Sequence, residues 1–138
     1  MVDSLPRRFH ASLICSDSEL RMALKDELQV MSDAYTAAYR VGDTAGCAAV
    51  FTEDGILYSA FAPPAVGRAA IATLHEAWTV GGEGKTLTVV DASGSGDVAF
   101  ARAEFAEGRE TSEGHALWAC VRMPGGPWRV RFCSLTAA

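Results

Sequence analysis

The sequence contains no asparagine, and its positive charge is almost all arginine, ten residues against two lysines. We attribute this skew to a coding bias. Long hydrophobic runs are also absent, because no apolar stretch approaches the ~20 residues that a bilayer-spanning helix needs. The apolar stretch that ends at Cys15 is too short and too interrupted for a secretory signal. We therefore expect a cytoplasmic protein with no membrane partner.

Positive charge is scarce as well as skewed. The net charge is −5 and the isoelectric point is about 5.1. This balance disfavours nucleic acid as a partner, since binding there depends on neutralising phosphates with Lys and Arg. The four cysteines, Cys15, Cys47, Cys120 and Cys133, are widely spaced and form no Cys-x-x-Cys motif or Cys/His cluster. We expect buried thiols in a reducing compartment, no metal site and no cofactor.

Carboxylates are missing from one part of the chain, residues 114–138, which contain no Asp or Glu. Any acid or base of that type must come from an earlier segment. A length of 138 residues fits one domain with a sizeable core. Residues 1–15 have no clear period and are predicted to form a flexible arm, so that the domain covers residues 16–138.

Helical spacing dominates the first half of the domain. Ser16 and Glu19 have the spacing of a capping box, and a four-four-three-four-three pattern of apolar residues follows to Ala38. This predicts a helix to about Arg40, which stops at Gly42. Asp43 can cap a second, short helix through Phe51. A third helix is predicted between Gly67 and Gly81.

Strand patterns dominate the second half. One strand is predicted at 56–61, and four more at 86–92, 98–106, 115–123 and 128–135, separated by Gly-rich turns. Strands joined this tightly are antiparallel. The sequence therefore predicts an α+β domain in which three N-terminal helices pack on a curved, mainly antiparallel sheet.

Four short segments in this order resemble the nuclear transport factor 2-like superfamily, in particular its SnoaL-like and ketosteroid isomerase branches. They are residues 35–43, 48–55, 67–71 and 126–130. The resemblance covers residues 17–136 and implies a cone-shaped fold with an internal pocket.

The resemblance to the isomerase branch can be followed residue by residue. Tyr35 falls on the position of the oxyanion-binding tyrosine, whereas Ser59 and Ala119 stand where that branch has its two aspartates. Moving a proton next to a carbonyl needs a base within reach of the carbon and donors for the enolate. We therefore expect no ketosteroid isomerisation.

One charged strand motif suggests other chemistry. Arg102-Ala103-Glu104 resembles the Arg-x-Asp motif of limonene epoxide hydrolase, although the second carboxylate of that enzyme has no counterpart in residues 114–138. Arg102 and Glu104 alternate to one strand face, which the resemblance turns into the cone. The catalytic candidates are Glu104 as acid or base, Arg102 as its electrostatic partner and Tyr35 as hydrogen-bond donor. The alternative is a structural ion pair, or a register that turns both charges to solvent.

The same register predicts the other residues of the pocket and the face opposite to it. His115 is the imidazole expected to approach Glu104, whereas His75 is interpreted as a surface residue. The outer sheet face is expected to form a homodimer through Trp118, Phe105, Ala101, Ala103 and Cys120, because monomers rarely leave large apolar patches open. The predicted ligand-binding residues are Tyr39, Leu57, Ser59, Leu74, Trp78, Phe100, His115, Leu117, Val130 and Phe132.

Two functions remain open at this stage. The first is a small-molecule-binding SnoaL-like domain that acts as a cofactor-free isomerase, cyclase or hydrolase on a small apolar organic substrate. The second is a non-catalytic dimerisation or ligand-carrying module. Loss of the family's carboxylates favours the second function, and charge predicted inside the cone favours the first.

Overall fold

The computed structural model of the protein describes residues 17–108 and 113–137. The predicted arm, Cys15 and Ser16 lie outside these residues. The described residues form three helices and six strands. In chain order they are α1 (Asp17–Arg40), α2 (Thr44–Ala49), β1 (Phe51–Ser59), β2 (Ala65–Val66), α3 (Arg68–Trp78), β3 (Lys85–Ser95), β4 (Val98–Glu107), β5 (Glu113–Val121) and β6 (Arg129–Ala137).

The helices lie close to their predicted positions, but α2 ends at Ala49 and not at Phe51, which is the first residue of β1. In α1, Leu28 and Met31 are buried, and the helix is followed by Gly42, whose φ of 74° lies in the left-handed region. The Asp43 side chain caps α2 by accepting a hydrogen bond from the Gly46 amide at 2.9 Å. The described helices contain no segment long and apolar enough to cross a membrane.

The six strands form one mixed sheet in the order β2-β1-β6-β5-β4-β3. All neighbouring pairs are antiparallel except β1 and β6, which are parallel. The predicted α+β class with a mainly antiparallel sheet is confirmed. The first strand is shifted from its predicted position, since it covers Phe51–Ser59 and not 56–61. The chain returns along it through β2, which was not predicted.

The two faces of β4 and β5 are the reverse of those predicted. Ala99, Ala101, Ala103 and Phe105 of β4 are buried beneath the helices, and so are Trp118 and Cys120 of β5. The predicted dimer contacts therefore belong to the core. The opposite side, called the outer face below, carries Phe100, Arg102, Glu104, His115, Leu117, Ala119 and Phe132.

The physical reason lies in the amino acids of these strands. Both faces carry large apolar side chains, so alternation alone does not show which one is buried. The charges decide which face is buried, because burying Arg102 and Glu104 among apolar residues costs far more free energy than exposing Phe100. The alternative reading, a register that turns both charges to solvent, is the one that the structure has.

Candidate functional site

A mainly apolar cavity lies between the helices and the inner face of the sheet. The cavity proper has a volume of about 40 Å³, and the total empty space, including the open solvent at its mouth, is about 500 Å³. Its walls come from α1, β1 and the residue before it, the end of α3 and strands β3 to β6. The lining residues are Met31, Ser32, Tyr35, Val50, Phe51, Leu57, Trp78, Lys85, Leu87, Phe105, Ala116, Trp118, Val130, Cys133 and Leu135.

A tyrosine and a histidine form the first polar group of this wall. The Tyr35 hydroxyl lies 2.7 Å from Nε2 of His75, and Nδ1 of His75 lies 2.7 Å from the Ile71 carbonyl oxygen. A carbonyl only accepts, so Nδ1 carries the proton and the hydroxyl donates to Nε2. His75 is fully buried, and burial lowers its pKa and keeps the ring neutral.

Burial also acts on the tyrosine. The pKa of Tyr35 is raised well above its usual value of 10.0, first by loss of solvation and then by the nearby Cys47, Tyr39, Cys133 and Glu107. Tyr35 lines the cavity and His75 does not. His75 accepts the hydrogen bond of the Tyr35 hydroxyl from outside the cavity wall.

A second polar group lies where β3 starts and β4 ends. The Lys85 ammonium is paired with the Glu107 carboxylate, and its nitrogen lies 4.4 Å from the centroid of the Tyr39 ring. The Tyr39 hydroxyl is 2.7 Å from the Trp78 carbonyl oxygen and 3.2 Å from Oε1 of Glu107. Burial, followed by the charge of Glu107, raises the pKa of Tyr39. The Lys85 side chain, which lines the cavity, is only 9% exposed.

The Cys133 thiol in the cavity wall is unreactive at neutral pH. Burial raises the pKa of Cys133 to about 12, although a hydrogen bond with Trp118 acts in the opposite direction. A thiol with this pKa has almost no thiolate at neutral pH, and the thiolate is the reactive form. Cys133 therefore contributes to the wall as a small apolar residue.

The predicted catalytic and ligand-binding residues lie in different parts of the fold. Tyr35, Leu57, Trp78 and Val130 line the cavity, and their contact with a ligand stays a prediction. Tyr39 is buried behind the wall, whereas Ser59 and Leu74 are half-buried elsewhere. The other predicted ligand-binding residues lie on the outer face: Phe100, His115, Leu117 and Phe132.

The predicted catalytic pair does not reach the cavity. Arg102 and Glu104 form an ion pair of 3.4 Å on the outer face, with their side chains 45% and 54% exposed. The prediction that they point inward is wrong. His115 lies directly across from Glu104 in the β4–β5 pairing, so the expected proximity of the two is present, but outside the cavity. Any chemistry that involves these three residues takes place on the outer face and not in the cavity.

Sequence reasoning missed three polar residues near the cavity: His75, Lys85 and Glu107. A signal for His75 was available, since it follows Ile71 by four residues on α3 and residues at that spacing share a helix face. Its interpretation as a surface residue is wrong. Among the described residues, no three His, Cys, Asp or Glu side chains lie close enough together to hold a metal ion.

Several solved structures share this fold. A ketosteroid isomerase-like protein from Erwinia carotovora atroseptica is 21% identical with a TM-score of 0.68, over 82% of this chain and 95% of that one. A nuclear transport factor 2-like protein with a cystatin-like fold from Novosphingobium aromaticivorans is 21% identical with a TM-score of 0.60, over 99% and 89% of the two chains.

A third structure carries a different description. It is a putative calcium/calmodulin-dependent protein kinase type II association domain from Thiobacillus denitrificans, 20% identical with a TM-score of 0.64, over 80% of this chain and 94% of that one. At these identities the three structures show the fold alone. A search of curated protein sequences finds no significant match.

The family model described as the SnoaL-like domain matches residues 32–136, which include the cavity wall from Ser32 of α1 to Leu135 of β6. The family and the fold together support a small-molecule-binding domain. The chain belongs to the SnoaL-like domain family and has the fold of the nuclear transport factor 2-like proteins.

Proposed function

We propose that this domain binds a small, largely apolar organic molecule in its cavity, and that Tyr35 is the polar group that such a molecule meets. The observation that carries the proposal is the 2.7 Å hydrogen bond between Tyr35 and His75 in an otherwise mainly apolar wall. Ligand sites are typically apolar clefts with a few placed polar groups. A buried imidazole that holds one hydroxyl in place fits that description.

The same pair supports cofactor-free acid/base chemistry as the finer form of the proposal. When Tyr35 takes a proton from a substrate, its own proton can pass to Nε2 of His75, and the reverse transfer returns it. This relay needs no carboxylate, and it serves isomerisation, cyclisation or hydrolysis of a small apolar substrate. Its imidazolium form is stabilised at Nδ1 by the Ile71 carbonyl.

The experiment is a thermal-shift screen against steroid, polyketide, terpene-epoxide and aromatic-acid libraries. Wild type is compared with Tyr35→Phe and with Tyr58→Phe, a matched control because Tyr58 is 43% exposed. Ligands that bind only the native state raise the melting temperature. We expect hits on wild type that Tyr58→Phe keeps and Tyr35→Phe weakens.

Turnover separates the two forms of the proposal. An enzyme converts its hit, and Tyr35→Phe lowers the rate by about 100-fold or more, which is the usual range for a positioned acid or base. Binding without turnover leaves the ligand-carrying form. If no compound shifts wild type while the protein is folded, the proposal is wrong.

A specific observation favours self-association as a second role. Phe100, Leu117 and Phe132 lie near one another on the outer face and are 57%, 54% and 41% exposed. We propose that a second copy of the chain covers this patch. Arg102 and Glu104 lie beside this patch and carry opposite charges. In a two-fold dimer, Arg102 of each copy can lie next to Glu104 of the other copy. This role is compatible with ligand binding, since the cavity opens on the other side of the sheet.

A further inference from the structure

The cavity is smaller than the molecules that the proposed function requires. Its volume is about 40 Å³. A benzene-sized guest is known to occupy an apolar protein cavity of about 150 Å³. The larger empty space at the mouth includes open solvent, so it does not enclose a ligand. An organic ring can therefore enter the wall only if one of the lining side chains moves.

The mouth of the cavity shows which side chain that is. Most of the lining residues are buried, and those that are partly exposed are Tyr35, Trp78 and Leu135. The hydrogen bond with His75 holds Tyr35 in place. Leu135 has a much smaller side chain than Trp78, and its strand, β6, is paired on both sides. Trp78 is therefore the large side chain whose movement would open the cavity.

The indole of Trp78 is held less firmly than the indoles of the other two tryptophans. The N–H of Trp128 donates to Oε1 of Glu27 at 2.9 Å, and Trp118 forms a hydrogen bond with Cys133. Among the described residues, the indole N–H of Trp78 has no hydrogen-bond partner. The Trp78 side chain can therefore rotate without breaking a hydrogen bond.

The main chain of Trp78 is fixed, in contrast to its side chain. The Trp78 carbonyl oxygen accepts a hydrogen bond of 2.7 Å from the Tyr39 hydroxyl. The next amide, that of Thr79, donates to the His75 carbonyl oxygen at 3.0 Å, where α3 ends. Rotation between side-chain rotamers opens the wall with no shift of a helix or strand.

Phe61 covers the same indole from the solvent side. Its ring meets the Trp78 ring edge-on, with the two centroids 6.3 Å apart. Phe61 is 53% exposed, does not line the cavity, and belongs to residues 60–64, which form no helix or strand. The ring of His75 contacts the indole as well, at 5.2 Å between centroids. These two ring contacts hold the indole across the mouth.

We propose that the Trp78 side chain is a gate, held shut by Phe61 and His75, and that its outward rotation determines the size of the molecules that the cavity admits. The inference rests on the proposed ligand-binding function and deepens it. The structure shows the closed form. A ring compound binds the open form only, so its apparent affinity is reduced by the fraction of the protein that is open.

The test uses N-phenyl-1-naphthylamine, a neutral two-part aromatic probe that becomes fluorescent in apolar surroundings. Fluorescence titration measures its dissociation constant for wild type, Trp78→Ala, Phe61→Ala and Tyr58→Ala. Tyr58→Ala is the control, since it also removes a partly exposed ring, 43% exposed, from a residue that does not line the cavity. Cooperative urea unfolding confirms that each variant is folded.

Minor conformations that ligands select are typically populated at about 0.1–10%, so a permanently open gate should tighten probe binding to Trp78→Ala by about tenfold or more. Phe61→Ala should tighten it by less, because the indole remains, and Tyr58→Ala should match wild type. Equal affinity of wild type and folded Trp78→Ala would overturn the gate and leave ligand binding intact. If neither protein binds the probe, the inference fails, and hits in the thermal-shift screen would still support the proposed function.

A second measurement does not depend on the folding of Trp78→Ala. Wild type labelled with 5-fluorotryptophan should give three fluorine signals, one for each tryptophan, and the conservative variant Trp78→Phe identifies the signal of Trp78. We expect microsecond-to-millisecond exchange at this signal and not at those of Trp118 and Trp128. The bound probe should shift the Trp78 signal most. A Trp78 signal that shows no exchange and does not respond to bound probe would overturn the inference.

Discussion

Protonation of His75 would place a positive charge in a space from which water is excluded. Burial holds its pKa below the ordinary value of 6.5, so the unfolded chain takes up this proton at a higher pH than the folded protein does. The free energy of unfolding should therefore fall as the pH drops from about 6.5 toward the lower folded pKa. The slope is at most about 1.4 kcal/mol per pH unit for one proton. Urea unfolding between pH 7.5 and 5 measures it.

The control is His75→Gln, which has no titrating group at this position. It should be less stable at neutral pH, because the Tyr35 bond is altered, but its stability should change less over the same range. Subtracting the two curves of unfolding free energy against pH removes the contributions of His10 and His115 and leaves that of His75. Parallel curves for the two proteins would contradict the expectation.

The three cysteines within the described residues should resist alkylation. Burial raises the pKa of Cys47 to about 11, and the pKa values of Cys120 and Cys133 to about 12. Very little thiolate is present at pH 8, and all three side chains are buried. In a Cys15→Ser background we expect no modification by iodoacetamide within minutes, and three modified sites after unfolding in urea. Mass spectrometry counts them, and rapid labelling of native protein would contradict this.

At the residue scale, the sequence predicted Tyr35 better than its surroundings. The tyrosine was found through a resemblance that covers its helix. His75 was not, because it was assigned to the side of α3 away from Ile71 and Trp78, although its four- and three-residue spacings place it on their side. In addition, the hydrogen bond that gives it a role joins residues far apart in the chain. Lys85 and Glu107 were missed for the same reason. Their pairing depends on the register of β3 with β4, in which they lie opposite each other.

Strand β4 carries Glu107 on its inner face and Glu104 on its outer face. The same substitution can therefore be compared at a buried and at an exposed ion pair within one strand. Glu107→Gln leaves the Lys85 ammonium with no opposite charge in a buried setting, and we expect a loss of about 3 kcal/mol in the free energy of unfolding. Glu104→Gln breaks only an exposed pair and should change it by less than about 0.5 kcal/mol. Denaturant unfolding at pH 7 measures both.

A double variant distinguishes lost pairing from lost packing. Lys85→Met with Glu107→Leu removes both charges and keeps similar volumes, and it should recover much of the stability that Glu107→Gln loses. Equal losses for Glu104→Gln and Glu107→Gln would show that the two faces do not differ as the structure indicates.

At the element scale, helices were easier to predict than strand faces. Periodicity and caps are local signals, and they located α1 and α2 within a few residues. The facing of β4 depends on which side the helices cover, and the strand itself carries apolar residues on both. The parallel pairing of β1 with β6 was also beyond the sequence argument, because short turns determine the direction of consecutive strands only.

For the whole molecule, we expect a dimer that one charge on the outer face disrupts. Phe100→Glu places a carboxylate in the proposed contact and should give a monomer in sedimentation equilibrium. Val80→Glu is the control, since Val80 is 80% exposed in the turn that follows α3 and belongs to no strand. It should leave the wild-type assembly unchanged. A wild-type monomer, or a Phe100→Glu dimer as tight as wild type, would contradict the proposal.

The strand order has a consequence for synthesis. β6 is the last strand of the domain to leave the ribosome, yet it lies inside the sheet between β1 and β5. Until residues 129–137 emerge, these two strands each present an unpaired edge, and such edges can pair with other chains. The nascent chain must therefore keep two open edges apart from its neighbours until the final segment closes the gap.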